Sequence, residues 1–575
     1  MPDNNSVATK ERVAAWPSRY APDLVHPAQP RTMAQVRFAD GRIYEAPVGT
    51  PLEAYMHAAA ERPWPSPVVG AIIGNQLREL TYRVEKDVDV TPLFMSDQDG
   101  SRLYRRSLTF LMLVAAHELF PEATIYVDHS VTFGGYYCEV GGRPPFSPEE
   151  LRKIEARMWE IVEADEPISK GQLPLAEAIE MFRQRGEDDK ARLLAHRRKD
   201  YLVVYRLRGL SSYFHGYMVP STGYLRYFAL HHYPPGFILR FPRRQSTDLQ
   251  PVVDYPKLLA VFREYNHALH LLGVHDVGAL NEKSKAGRTN EIVLVAEALH
   301  EQRIARIAEQ IAGGVGWAWL VLIAGPSSSG KTTFAKRLAV QLMANGIRPI
   351  AISLDDYFVD REKTPRDEKG NYNFEALEAV DLELFNRHLQ ELRARREVQL
   401  PRYNFLTGKR EAGETIRLGP DQVLLVEGIH GLNPALVRDV PPAGIFRIYV
   451  SALTQLNIDR HNRVSTTDTR LLRRIVRDAR SRGYSAAETI ARWESVHRGE
   501  REYIFPYQEN ADVMFNSALV YELSVLKPLA EPLLLQIEPG APGHMEAKRL
   551  LTFLQWFEPM PTELVPDNSI LREFV

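Results

Sequence analysis

The sequence predicts a multidomain chain: an α/β unit with a parallel sheet in the C-terminal half, preceded by a small mixed module, an α+β domain and a helical connector. Three observations predict it. At 575 residues the chain is too long for one hydrophobic core. After Gly316, apolar β-rich runs (Trp319 to Ala324, Ile350 to Leu354, Val423 to Val426, Phe446 to Val450) alternate with helical stretches, as in a parallel sheet covered on both faces. Between the first run and the next helix stands GPSSSGKT, Gly325 to Thr332, a complete phosphate-loop pattern.

Composition narrows the class. With 45% hydrophobic and 25% charged residues the chain reads as globular rather than disordered or fibrous. The longest apolar stretch, Val315 to Ala324, is too short to span a bilayer, and no apolar segment follows the polar Met1 to Lys10. A cytoplasmic location without membrane partners is therefore expected. The single cysteine, Cys138, excludes an internal disulfide and any multi-cysteine metal site, and reads as a small half-buried residue. A net charge of −2 leaves a nucleic-acid partner to rest on a local basic patch.

Along the chain, residues 1–32 carry several prolines and little periodicity and read as a flexible arm. Residues 33–95 form a small module opening with a hairpin, Gln35 to Tyr44, around Asp40 and Gly41. Residues 96–245 mix helical stretches such as Pro148 to Glu163 with aromatic-rich strands around Tyr136 and Tyr137 and from Tyr224 to Leu239. A helical connector over 246–315, broken near Gly278 and Gly287, leads to the unit at 316–540, and a C-terminal extension covers 541–575.

The phosphate loop carries explicit chemistry. Gly325 and Gly330 permit backbone turns that aim successive amides at a polyphosphate, with Ser327, Ser328, Ser329 and Thr333 completing the ATP-binding set. Lys331 is placed to reach the β- and γ-phosphates and the Thr332 hydroxyl to ligate Mg2+. The helix from Thr332 to Asn345, stopping at Gly346, points its positive end at the anion. The strand from Ile350 ends in Asp355 and Asp356, either of which faces the phosphates from a strand's carboxyl end, followed by Tyr357 and Phe358. On the helix TRLLRRIVRDARSRG, Thr469 to Gly483, Arg470, Arg473, Arg474, Arg477 and Arg480 fall on one face and Leu471, Leu472, Ile475, Val476 and Ala479 on the other. Five cations on one stripe need anions, and a triphosphate is the expected one, against a solvated face paired with Asp468 and Asp478.

These blocks resemble the uridine kinase and phosphoribulokinase family over some 200 residues. The resemblance implies a P-loop NTPase fold, Asp355 of Ser353-Leu354-Asp355 as catalytic base, and Asn373-Phe374-Glu375 with Glu375 near a substrate ribose. It places Tyr403, in Pro401-Arg402-Tyr403-Asn404-Phe405, beside the substrate, with Tyr357 and Phe358 in the same pocket. Glu427, in VLLVEGI, would help hold magnesium, and the arginine helix would be a lid with Arg474 on substrate and Arg477 and Arg482 on phosphate. Three base-reading positions of uridine kinases depart from the pattern: Gly408, Tyr484 and Arg492.

Residues 34 to about 245 resemble the N-terminal part of threonyl-tRNA synthetase, a ubiquitin-like TGS module followed by an α+β editing domain, through Phe38 to Arg42, Phe120-Pro121, Gly134 to Tyr137, Ile154 to Met158 and Val219 to Gly223. The four positions that line a working editing pocket are Arg106, Phe110, Phe214 and Met218 here, so editing hydrolysis is not expected; a packed core is expected, with a cleft for a ligand or partner as the alternative. The expectation is an ATP-dependent kinase of a small-molecule hydroxyl acceptor, foremost a nucleoside. A sugar phosphate or other polyol, and a nucleotide-gated RNA-binding protein, are the alternatives, and a homo-oligomer is left open.

Overall fold

The computed structural model describes residues 29–244, 246–313, 318–367, 370–438, 440–454 and 456–575. Most of the arm expected over 1–32 lies outside them.

Strands β1 (Met33–Phe38) and β2 (Ile43–Pro47) pair antiparallel about the expected Asp40-Gly41 turn, where Gly41 takes φ +86°. With β3 (Val68–Ile73), β4 (Gln76–Arg78) and β5 (Val88–Phe94) they make a mixed sheet ordered β2-β1-β5-β3-β4, backed by α1 (Leu52–Ala59). Helix α2 (Gln98–Leu119) leads into β6 (Thr124–Val131) and β7 (Gly135–Gly141). Helix α3 (Pro148–Glu163) starts at a reciprocal Ser147–Glu150 capping box, which satisfies two amides the first turn leaves open. Then come β8 (Ser169–Pro174), α4 (Leu175–Gln184), α5 (Asp188–Ala195), β9 (Tyr201–Leu207) and β10 (Leu210–Ser212). The aromatic run expected from Tyr224 to Leu239 splits into β11 (Ala229–Tyr233) and β12 (Gly236–Arg240), giving the sheet order β11-β12-β7-β6.

The connector is helical: α6 (Pro256–Leu272), α7 (Val277–Lys285) and α8 (Thr289–Gly313). Its first break differs from the expectation. Gly273, in the left-handed region at φ +59°, ends α6, whereas Gly278 lies inside α7, where a Cβ would meet the Leu193 amide nitrogen at 2.8 Å. Close packing, not chain reversal, requires that glycine.

In the C-terminal half, β13 (Leu320–Ala324), β14 (Arg348–Ser353), β17 (Gln422–Glu427), β18 (Ile445–Ser451) and β19 (Val513–Asn516) form an all-parallel sheet ordered β14-β17-β13-β18-β19. Alternation along β13 sends Val321 and Ile323 to one core, with Phe334 of α9 (Lys331–Ala344), and Leu320 and Leu322 to the other, with Phe385 of α10 (Leu382–Arg393). A hairpin of β15 (Val398–Asn404) and β16 (Lys409–Ile416) stands apart from the sheet. Helices α11 (Thr466–Ser481), α12 (Ala486–Tyr503), α13 (Glu522–Leu535) and α14 (His544–Leu554) complete the half. Among the described residues no helix is long and apolar enough to cross a membrane.

Candidate active site

The turn between β13 and α9 is built by close approach. A Cβ on Gly325 would lie 1.9 Å from the Val450 carbonyl oxygen, and Gly330 takes φ +84° immediately before α9. Ser328 also takes φ +59°, and among the described residues the buried hydroxyls of Ser328 and Ser329 have no hydrogen-bond partner. Lys331 Nζ donates to the Pro326 carbonyl at 3.2 Å, folded back over its own loop.

Around this loop stand the carboxylates. Thr332 Oγ1 donates to Glu427 Oε1 at 3.1 Å, so the two expected magnesium ligands are adjacent. Burial raises the Glu427 carboxyl, the Lys331 charge opposes that, and Asp355 adds to it. Asp355 and Asp356, adjacent at the strand's end, separate here. Asp356 accepts from the Tyr403 amide at 3.2 Å, while Asp355 is raised by burial and held down by Lys331 and Arg482. Glu375 is pushed up to about 7, first by burial and then by the charge of Glu500, with Arg474 and Lys331 opposing. The site thus gathers Asp355, Glu375 and Glu427, from three separate segments, near one lysine.

The arginine helix divides its work. Its apolar face, Leu471, Leu472, Ile475 and Val476, is buried as expected. Four of the five cations meet protein carboxylates: Arg470 forms a bidentate pair with Glu500, Nη2 to Oε2 at 2.7 Å, Arg473 Nε donates to Glu522 at 2.6 Å, Arg474 Nε donates to Asp478 at 3.1 Å, and Arg477 lies 3.5 Å from Asp478. The stripe therefore fails as a uniform phosphate grip, because its inner half is a structural ion-pair layer. Glu500 also accepts from the Ser327 amide at 3.2 Å, tying that layer to the phosphate loop. Arg474 Nη1 donates to Ser327 Oγ at 3.0 Å. Arg477 is pulled down to about 10 by burial and by Arg482, and its Nε, 3.5 Å from Asp478, has no hydrogen-bond partner among the described residues. Arg482 is half-exposed, 3.4 Å from Asp478, and Arg480 lies at the surface.

The aromatic positions also divide. Phe358 and Tyr403 meet edge to face at 5.6 Å, and the buried Tyr403 hydroxyl has no hydrogen-bond partner among the described residues. Tyr357 departs from its expected place: its hydroxyl is within 3.1 Å of His388 Nδ1 and its ring packs on Phe385, both of α10. Of the base-reading positions, Arg492 stacks on Tyr484 at 4.1 Å, and Gly408, at φ +70°, abuts the Arg361 guanidinium, where a Cβ would come within 2.7 Å of Nε.

Two participants were invisible in the sequence. Glu500 is one. The other is Glu573, in the extension, whose Oε2 accepts from the Thr333 hydroxyl at 3.1 Å and amide at 3.4 Å and whose Oε1 lies 3.7 Å from Arg477. No motif announces either, because each is defined by a partner far away along the chain.

Residues 320–524 match the family model described as Phosphoribulokinase / Uridine kinase family. This kinase-family region is similar in fold to solved proteins at low identity. A possible uridine kinase from Bacillus stearothermophilus is 21% identical, covering 37% of this chain and 98% of that one with a TM-score of 0.26. A D-glycerate 3-kinase from Cryptococcus neoformans is 17% identical, covering 47% and 87%, with a TM-score of 0.20. The N-terminal region matches threonine–tRNA ligases. That of Acidovorax sp. (strain JS42) is 34% identical over 159 residues, 28% of this chain and 25% of the ligase, and that of Paraburkholderia xenovorans is 31% identical over 201 residues, 34% and 31%. The chain thus spans about a quarter to a third of the length of these curated relatives. Of the four positions aligned with the ligases' editing pocket, Phe110 and Met218 are buried in the core, with Phe110 and Phe214 at 5.2 Å between ring centroids, whereas Arg106 and Phe214 line a cavity. Cys138 is fully buried, more so than expected.

Proposed function

We propose that this protein transfers the γ-phosphoryl group of ATP to a hydroxyl of a small metabolite, with a nucleoside as the leading acceptor. The observation that carries the reading is the convergence of Lys331, the Thr332–Glu427 pair, Asp355 and Arg474 on one phosphate loop. In this reading the loop amides and Lys331 hold the phosphates, Asp355 takes the acceptor's proton as its oxygen bonds the γ-phosphorus, and the bond to the β-phosphate oxygen breaks to leave ADP. Arg474, Arg477 and Arg482 balance the charge on the transferring group.

Magnesium fits the donors. Among the described residues no cluster of three or more His, Cys, Asp or Glu could hold a metal alone. One hydroxyl and one carboxylate suit Mg2+, which keeps waters and substrate phosphates as its remaining ligands. Thr332 and Glu427 would hold it, and its charge would offset that of the phosphates.

The unpartnered Tyr403 hydroxyl, beside Phe358, supports an acceptor pocket there. A sugar phosphate or other polyol remains the second reading, favoured by one observation: Gly408 is closed against Arg361 and Tyr484 is covered by Arg492, so neither offers a base the usual reader. The proposed division of the chain is 33–95, 96–245, 246–315, 316–540 and 541–575.

The test is a panel of nucleosides and sugar phosphates assayed for ADP release with wild type and Asp355→Asn. An acceptor should stimulate the wild type, and the variant should lose roughly 10²–10⁴-fold. Equal basal release in both proteins with every acceptor would refute acceptor phosphorylation.

A further inference from the structure

A cavity of about 670 Å³ opens between the synthetase-like region and the kinase-family region. Helix α2 and the turn between β6 and β7 form one wall, and the segment before α11 together with α12 forms the other. Among the described residues, eight arginines line it against a single carboxylate, Asp468. Arg102 and Arg549 are neutralised by Glu546 and Asp468, Arg549 with both distances to Asp468 at 2.8 Å. Arg244 and Arg501 share the half-exposed Glu494 at 3.3 and 3.5 Å.

The other four make no ion pair among the described residues. Arg106 and Arg463 donate to the carbonyls of Tyr217 and Asp128 at 2.6 and 3.0 Å. The Arg105 guanidinium lies over Phe241 at 4.7 Å, and among the described residues its buried Nε has no hydrogen-bond partner and no side-chain hydrogen bond holds Arg243. Burial disfavours the charged form of Arg105, and Arg244, Arg102 and Arg463 repel it further. Since arginine does not give up its proton in a protein, the uncompensated charge must be met from outside the chain.

We propose that this cavity binds a small, multiply charged organic phosphate at a site separate from the phosphate loop. Guanidinium forks match phosphate oxygens bidentately, and several converge here. The carbon frame is called for by the floor: Tyr136 and Phe241 meet edge to face at 4.8 Å and are flanked by Arg463 and Arg105. The volume falls within the roughly 300–1,000 Å³ of small-molecule sites and suits one nucleotide-sized molecule rather than a nucleic-acid strand. Helix α12 separates the two sites. Its His497 and Arg501 line the cavity, whereas Glu500 bonds the Ser327 amide of the loop.

The experiment uses the full chain carrying Lys331→Ala, so that the phosphate loop does not compete, titrated by calorimetry with inorganic phosphate, ribose 5-phosphate, AMP and a short single-stranded RNA. Ribose 5-phosphate or AMP should bind with one equivalent, and inorganic phosphate at least tenfold more weakly. Arg105→Gln and Arg243→Gln should each weaken the organic ligand several-fold while leaving the unliganded melting temperature unchanged or higher, because each relieves repulsion. Arg243 is exposed, so its variant keeps the fold even if Arg105→Gln does not. Absence of binding by either organic phosphate, equal affinity for inorganic phosphate, tighter binding of the RNA, or unchanged affinity in the Arg243→Gln protein would each overturn the proposal.

Discussion

Replacing Glu500 by glutamine should destabilise the kinase-family region severely, since the substitution keeps the size of the side chain and removes only its charge. Glu500 and Arg470 have side-chain exposures of 0% and 2%, and their pairing is bidentate. Breaking such a buried pair leaves a cation with neither water nor a counter-charge and costs about 3–5 kcal/mol. For a unit of this size each kcal/mol lowers the midpoint by about 2–4 °C, so a drop on the order of 10 °C is expected. Calorimetric melting without nucleotide should show it for Glu500→Gln and Arg470→Gln alike. The double variant Arg470→Met with Glu500→Leu should recover much of the loss, because no charge is left stranded. If Arg470 gripped phosphate instead, Arg470→Gln would melt with the wild type and lose only nucleotide affinity. That result, or a double variant whose loss is the sum of the two singles, would refute the reasoning.

Arg477 differs: burial and Arg482 pull it down to about 10 despite Asp478 at 3.5 Å and Glu573 at 3.7 Å, so Arg477→Met should hold or raise the melting temperature without nucleotide and lower kcat about 10²-fold; a clear loss of stability would count against this role. Glu375, pushed up to about 7 from an ordinary 4.5, favours the protonated form on folding, so wild-type stability should fall as pH rises from 4.5 through 7. Glu375→Gln should therefore be the more stable protein above pH 7, and the difference should vanish below 4.5; melting curves across that range that run parallel would reject the assignment. Glu573 places a carboxylate against Thr333 and Arg477, where it opposes an incoming polyphosphate. Glu573→Gln should tighten ATP binding about tenfold, ~1.4 kcal/mol, by equilibrium titration, and unchanged or weaker affinity would exclude competition by this side chain.

Features set by local chemistry were legible in the sequence. The four parallel strands of the expected sheet, the capped helix Pro148–Glu163 and the phosphate loop each depend on residues within a few positions of one another, so pattern alone finds them. The arginine helix was half legible. Its periodicity gave the two faces correctly, but Glu500 and Glu522 lie 30 and 49 residues from the arginines they neutralise, and no local pattern records such a meeting. Tyr357 misled because adjacent residues diverge at the end of β14: one aromatic turns toward Tyr403 and the other toward α10. The strand Val513–Asn516 escaped notice because four residues carry too little alternation to declare themselves.

The purpose of joining a synthetase-like region to a kinase-family region is also unreadable locally, and the segment just before α11 shows why. Asn457 Nδ2 donates to the carbonyls of Val127 and Asp128 at 3.0 and 3.1 Å, the Val127 amide donates to the Arg460 carbonyl at 2.8 Å, and Asn462 Oδ1 accepts from the His215 amide at 2.8 Å. Arg460 donates to Asp189 from both its amide and its Nε at 2.8 Å. Every one of these partners lies in the N-terminal half, and together they fix the base from which the arginine helix springs. The same half closes one wall of the arginine-lined cavity with Arg105 and Arg106, the latter at an editing position that carries no catalytic histidine here. Through α12, whose His497 and Arg501 line that cavity while Glu500 accepts from the Ser327 amide, its wall is tied to the phosphate loop. The anchoring restrains α11 at its N-terminal end, so any closure over bound phosphate must be accommodated toward Arg482 and Gly483, where the chain already turns at φ +70°.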